Sequence, residues 1–267
     1  MSDRGRPRPP LALVGPATVG VAFLTLPLLA MVLLAPWGDL PSLLASTAVV
    51  QALRLSLVTA TVSAALCLTV GVPLGWVLSR GTSGATRMLR ALVTVPLVLP
   101  PVVGGVALLL AYGRTGLVGR QLYAVTGWQI PFTTVAVVLA QTFVALPFMV
   151  VTVEGALRAA GPDLEEAAST LGASRWFAFR TVTLPLIGPS IAAGAVLSWA
   201  RALGEFGATV TFAGNLPGVT QAMPSAVYRA FESDPPAAVA LSLVLLAVSV
   251  SVLLVFRDRW RAGVSPW

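Results

Sequence analysis

Five stretches of this chain contain no charged side chain at all: Leu11 to Ala35, Leu55 to Ser79, Ala91 to Tyr112, Pro131 to Val153 and Pro236 to Phe256. Each reaches the roughly 20 residues that a helix needs to cross about 30 Å of hydrocarbon. A sixth apolar stretch, from about Leu186 to Phe212, is as long but carries Arg201 and Glu205. Only 10% of the 267 residues are charged and 57% are hydrophobic, so lipid rather than water is the main solvent. The pattern predicts an all-α integral membrane protein of six transmembrane helices, spanning about 11–35, 55–79, 91–112, 131–153, 186–212 and 236–256. Short tails, 1–10 and 257–267, flank the membrane domain 11–256, and the second leaves no room for a further C-terminal domain.

What is missing narrows the chemistry. The chain has no His and no Lys, and all 17 of its basic residues are Arg. A catalytic triad with His, a His-ligated metal and a phosphate loop ending in Gly-Lys-Ser/Thr are therefore excluded, so no catalytic residue, metal or cofactor is assigned to the chain. The single Cys67 sits in an apolar run and reads as a small buried hydrophobe. The net charge of +7 is spread between apolar segments and forms no basic helix, so no nucleic-acid partner is expected.

The charge reports topology instead. Arg4, Arg6, Arg8, Arg80, Arg87, Arg90, Arg158, Arg175, Arg180, Arg257, Arg259 and Arg261 fall on one side of the predicted spans, against Arg54, Arg114, Arg120 and Arg229 on the other. By the positive-inside rule both termini and the long loop 154–185 are cytoplasmic. The first span is too long for a secretory h-region, lacks a convincing small-residue cleavage site after it, and is read as a retained helix. Pro96, Pro100, Pro101, Gly104 and Gly105 interrupt the third span, which is tolerated only against other protein or a water-lined cavity. Gly71 and Gly75 form a Gly-x-x-x-Gly in the second span, read as a close-packing site rather than a dimer seam.

Within the long loop, Gly161-Pro162-Asp163 opens a short helix with Pro162 at its first position and Asp163, Glu165 and Glu166 at the positive end of its dipole. Gly172 would stop it in a left-handed cap. A second helix is expected to start at Ser174, to present Trp176, Phe177, Phe179 and Val182 as apolar surface, and to end before Pro185. A helix, a sharp turn and a helix on the membrane surface can dock a partner or float on the lipid headgroups.

The spacing separates these. Glu166-Ala167-Ala168, then Gly172, then Val182-Thr183-Leu184-Pro185 resembles the signature loop of ABC importer permeases, and it precedes the penultimate span, where that family carries it. Val182 stands where Ile is usual. The resemblance implies a type I importer permease bundle in the bacterial plasma membrane, working as two permease copies, here a homodimer, with two cytoplasmic ATPase subunits and an extracytoplasmic binding protein. ATP and Mg would be held by the ATPase, none by this chain. Glu165, Glu166, Ala167, Ala168, Gly172, Val182, Leu184 and Pro185 would form the coupling loop, with Glu166 making a charged contact and Gly172 the tight turn. ATP-driven closure would carry the loops together and switch the pore by alternating access.

The run Ser198 to Thr209, with Ala213 to Gln221, is similar to the molybdate permease branch, with sulfate/thiosulfate permeases close. The likeness extends from about Gln51 to Phe256 and includes Arg54-Leu55-Ser56-Leu57 and Leu97-Val98-Leu99-Pro100-Pro101. It implies an oxyanion importer, for molybdate, with tungstate or sulfate as alternatives. Arg201 and Glu205 are four apart, able to neutralise each other inside a span, although Arg before Glu is the less favourable order. Two readings of this pair stay open: an ion pair holding the fifth helix in its bundle, or a pathway in which Arg201 meets a passing dianion while Glu205 prevents trapping, with Pro100 and Pro101 on the same path. An ion-driven secondary transporter or channel would also use broken helices and a midplane charge pair, but would commonly show inverted repeats, and none is evident. A noncatalytic scaffold or sensor would explain the loop but not the broken third span.

Overall fold

The computed structural model describes residues 11–262, so Arg4, Arg6 and Arg8 and the last residues, 263–267, lie outside the described residues. No strand forms among the described residues. Helix α1 (Leu11–Leu33) is apolar on every side, and Phe23, Leu24 and Leu33 stand exposed along it, a surface suited only to hydrocarbon. A short helix α2 (Leu40–Ala45) leads into α3 (Thr47–Arg80), whose 34 residues extend about 51 Å, well beyond the bilayer core. Helix α3 therefore starts eight residues ahead of the predicted span. Arg54 ends an apolar run without ending a helix, because its long side chain lies exposed on the helix surface.

The third span is split into α4 (Gly84–Val98) and α5 (Pro101–Tyr112), whose directions differ by 120°. Leu99 and Pro100 are extended, as the residues ahead of two successive prolines must be. After the short α6 (Gly119–Thr126), α7 (Thr134–Ala160) carries the charged residues Glu154 and Arg158 within its last turns. Next come α8 (Asp163–Thr170), α9 (Arg175–Ala178), a π-helical turn (Phe179–Thr183) and α10 (Leu184–Leu203). The chain ends its described part with α11 (Gly207–Ala213), α12 (Met223–Ser233) and α13 (Pro235–Ala262). Five helices among the described residues are long and apolar enough to span, and α4 with α5 passes the same test only when the bent pair is taken as one unit.

The core is a three-helix wedge of α3, α7 and α10. Gly71 and Gly75 lie directly under Met149 and Val153: a Cβ on either glycine would come within 2.6 Å and 2.9 Å of those side chains. The Gly-x-x-x-Gly is thus an internal seam between α3 and α7. Met149 is shared with the third helix, since a Cβ at Gly194 would meet its sulfur at 3.0 Å. Hydroxyls fasten the same wedge, Ser63 donating to the Val138 carbonyl at 3.1 Å and Ser198 to that of Ala145 at 3.3 Å. In an apolar solvent such small-residue contacts and interhelical hydrogen bonds replace the hydrophobic effect as the packing force.

The α10 to α11 region departs from expectation. The fifth span is not one helix over 186–212: α10 stops at Leu203, Gly204 to Phe206 leave the helix, and α11 restarts at Gly207. The restart has a local cause, because the Glu205 carboxylate accepts the Ala208 N–H at 2.8 Å and so serves as the acceptor for a new helix start.

Candidate functional site: the coupling segment and the meeting of two breaks

Helix α8 carries its acids at the N-terminal end and is closed by a cap at the C-terminal end. Pro162 is its N-cap rather than its first helical residue, and Asp163, Glu165 and Glu166 occupy the first turn. At the other end Gly172 has φ +88°, its N–H bonds to the Ser169 carbonyl at 3.0 Å, and the Ala173 N–H reaches the Ala168 carbonyl at 3.1 Å. This pair of bonds is the Schellman arrangement, and it needs the left-handed conformation that glycine adopts without strain. The chain reverses there, and Ser174 caps the next helix by accepting the Phe177 N–H at 3.3 Å.

That next helix does not end before Pro185. It continues through the π-helical turn, in which the Leu184 N–H reaches back to the Phe179 carbonyl, and runs on to Leu203. The extra residue widens the turn and so relieves the clash that a proline ring makes with the carbonyl four residues earlier. Helix α9 is therefore continuous with the fifth span. Of the predicted apolar surface, Trp176 and Phe177 are exposed, whereas Phe179 and Val182 are half-buried. Phe179 lies between two indoles, stacked on Trp176 at 5.8 Å and edge-on to Trp76 of α3 at 6.2 Å.

The two neighbouring glutamates face different ways. Glu165 is half-buried, takes an ion pair from Arg80 Nη2 at 2.5 Å and accepts the Thr183 hydroxyl, so one carboxylate ties α8 to the end of α3 and to the π-helical turn. Glu166 is exposed, as are Ala167 and Pro185, while Ala168 and Leu184 are half-buried. A second clasp lies close in sequence: Glu154 of α7 binds Arg90 Nε of α4 at 2.7 Å and Arg158 at 3.0 Å, and Arg90 also donates to the Leu78 carbonyl at 3.0 Å. Arg80, Arg90, Glu154 and Thr183 were not singled out from sequence as site residues. The only signal available was Glu154 and Arg158 at helical i,i+4 spacing.

The broken ends of the third and fifth spans are also brought together. Arg201 Nη1 pairs with Glu205 at 2.6 Å, the carboxylate being 1% exposed and the guanidinium 27%. Pro101 opens α5 against Gly207, where a Cβ would come within 2.9 Å of the proline Cβ, and Gly105 sits over the Ala208 carbonyl and Thr211. The break at Leu99 and Pro100 thus abuts the break at Gly204 to Phe206. Among the described residues no group of three or more His, Cys, Asp or Glu could hold a metal.

Residues 71–263 match the family described as binding-protein-dependent transport system inner membrane component. The molybdenum transport system permease protein ModB of Mycobacterium tuberculosis is 50% identical over 248 residues, 93% of this chain and 94% of that one. The sulfate transport system permease protein CysT of Escherichia coli is 36% identical over 218 residues, covering 81% and 78%. In fold, a bacterial alginate ABC transporter, solved in complex with its alginate pentasaccharide-bound periplasmic protein, superposes with a TM-score of 0.75 over 96% of this chain and 95% of that one, at 16% identity. A stiff elbow ahead of the penultimate span, a fold shared with an ABC transporter and a family match across most of its length converge: as a multi-pass protein of the bacterial plasma membrane, this chain belongs to the binding-protein-dependent transport system inner membrane components, the permease subunits of ABC importers.

Proposed function

We propose that this chain is the membrane subunit of an ATP-driven molybdate importer, acting as a homodimer with two cytoplasmic ATPase subunits, which bind ATP and Mg, and an external oxyanion-binding protein. The observation that carries the mechanism is the build of the coupling segment. Helix α8 is closed by the Gly172 cap and fastened by Glu165 to Arg80 and to Thr183 of the π-helical turn, and α9 beyond the turn is continuous with α10, so a displacement imposed on α8 is passed to the fifth span rather than absorbed in a loop. In this reading the exposed Glu166 meets the ATPase and Glu165 keeps the helix on its own bundle. ATP binding draws two such elbows together, and the joined breaks at Pro100, Pro101 and Gly204 to Phe206 are where the spans bend as the pore changes the side it faces.

The half-identity with the M. tuberculosis permease supports molybdate as cargo. Sulfate is the second reading, supported by the 36% identity with CysT and by the common chemistry of tetrahedral dianions, tungstate included. Arg201 is the one cation within the fifth span, and its guanidinium is partly exposed beside the break. The test is uptake by proteoliposomes holding the permease, its ATPase and the binding protein. Radioactive molybdate should accumulate only with ATP, and a tenfold excess of sulfate, about 1.4 kcal/mol of mass action, should leave uptake unchanged. Uphill accumulation without the ATPase refutes the proposal, and full competition by sulfate transfers the cargo to sulfate.

A further inference from the structure

Two cavities of about 380 Å³ each lie side by side where α3 leaves its apolar run and meets the coupling segment. One carries polar side chains, with Arg80, Glu165, Glu166, Ser169 and Arg175 in its wall. The other is apolar, a groove between α3 and the π-helical turn formed by Val72, Pro73, Val77, Trp176, Phe179 and Leu184. Trp76 and Arg175 line both, so the two adjoin at these side chains and present a polar and an apolar wall side by side.

The polar half has donors without acceptors. Trp76 Nε1 and Arg80 Nε are buried and have no hydrogen-bond partner, an unfavourable state unless an outside oxygen supplies one. Arg175 makes no ion pair among the described residues. The acids in the wall do not exclude an anion, because Glu165 is already neutralised by Arg80 and Glu166 is exposed to water. A free oxyanion would fill the polar half and leave the hydrocarbon-lined half empty. The site lies at the end of the charge-free run 55–79, beside exposed Trp176, the depth at which aromatic and basic residues meet lipid phosphates.

We propose that the adjoining cavities bind one glycerophospholipid, its phosphodiester held by Arg175 and the Trp76 Nε1–H and one acyl chain laid along the groove between α3 and the π-helical turn. The lipid then acts as a wedge under the aromatic base of the coupling segment, and the stiffness of that segment depends on it. Nothing in this depends on which oxyanion is carried.

The test uses the full chain in nanodiscs of mixed phosphatidylglycerol and phosphatidylcholine, with a trace of phosphatidylglycerol bearing a photoactivatable acyl chain, and with or without the partner ATPase. Label should concentrate on peptides covering 72–77 and 176–184. Arg175→Gln and the conservative Trp76→Phe, which keeps the ring and removes only the N–H, should each lower it at least about fivefold, the loss of one charge-assisted hydrogen bond, with labelling of lipid-exposed α1 unchanged as the internal control. Labelling no denser than on α1, or unchanged in both variants, overturns the site. Displacement of the label by inorganic phosphate shows a free-anion site, and its loss on adding ATPase shows a protein-covered face; either also overturns the lipid.

Discussion

Replacing Glu165 by Ala removes three things from α8: the pair with Arg80, the bond from Thr183 and a negative charge in the first helical turn. The Arg80 and Glu165 side chains are 28% and 22% exposed, so their pair lies between the surface and buried regimes and contributes about 1 kcal/mol after screening. The Thr183 hydroxyl adds about 1 kcal/mol, the typical net contribution of an intramolecular hydrogen bond. The charge at the helix start adds about 0.5 kcal/mol. Opening of α8 should therefore become easier by about 2 to 2.5 kcal/mol, which is about 30- to 70-fold in its equilibrium. Amide exchange read by mass spectrometry on the peptide 166–173, in nanodiscs and without ATPase so that no partner protects it, should speed up by that factor. Arg80→Ala and Thr183→Val should each give only about fivefold. The decisive step is the double variant: once Glu165 is Ala, adding Arg80→Ala should change nothing further, a coupling of about 1 kcal/mol. If the two effects simply add, the clasp does not exist as a clasp. An acceleration below about twofold in Glu165→Ala, under 0.5 kcal/mol, would remove it altogether.

The other predictions test separate parts of the molecule. Gly172→Ala should weaken ATPase association and loosen α8 by about 1 to 2 kcal/mol for backbone reasons alone, since nothing lies within 4 Å of its missing Cβ; binding equal to wild type in a pull-down would contradict this. Gly75→Val should lower the thermal aggregation midpoint in detergent through about 1 to 3 kcal/mol of overpacking against Val153, whereas Gly84→Ala, with open space around it, should leave that midpoint in place; equal behaviour would mean that the α3 to α7 seam is not tight. Glu205→Ala should be more destabilising than Glu205→Gln by about 1 kcal/mol, because the amide oxygen still accepts the Ala208 N–H, and a reversed order in thermal melts would show that the carboxylate does not cap α11.

The sequence revealed the spans because hydrophobic length belongs to a segment by itself. It revealed the broken third span for a similar reason: Pro100 and Pro101 lack the N–H that a helix uses, whatever surrounds them. The break in the fifth span has no such mark. Gly204, Glu205 and Phe206 can all continue a helix, and Arg201 with Glu205 reads as a pair on one helical face; only the folded chain lets the carboxylate serve Arg201 and the α11 start together. Glu165 and Glu166 were equally opaque. Their different orientations follow from about 100° of helical phase, fixed here by Arg80, far earlier in the chain, and Thr183, on the far side of the turn. Gly172 was legible, since its left-handed turn is a property of the residue.

The placement of the acids bears on how the molecule is driven. Glu154 and Glu165 each receive at least one Arg at a junction between helices, and Glu205 receives Arg201 at the break in the fifth span. A secondary transporter needs a carboxylate in the membrane that exchanges its proton or cation during the cycle. Glu205 is the one acid inside a predicted span, and both of its oxygens are engaged, Oε1 with the Ala208 N–H and Oε2 with Arg201. Each oxygen thus has a partner from within the chain, one holding the Arg201 guanidinium and the other the start of α11. That leaves the ion-driven reading without its carboxylate. Under the proposed function work enters from outside the membrane through α8, which presents Glu166 outward while Glu165 links the helix to Arg80 of α3 and, through Thr183, to the π-helical turn ahead of α10.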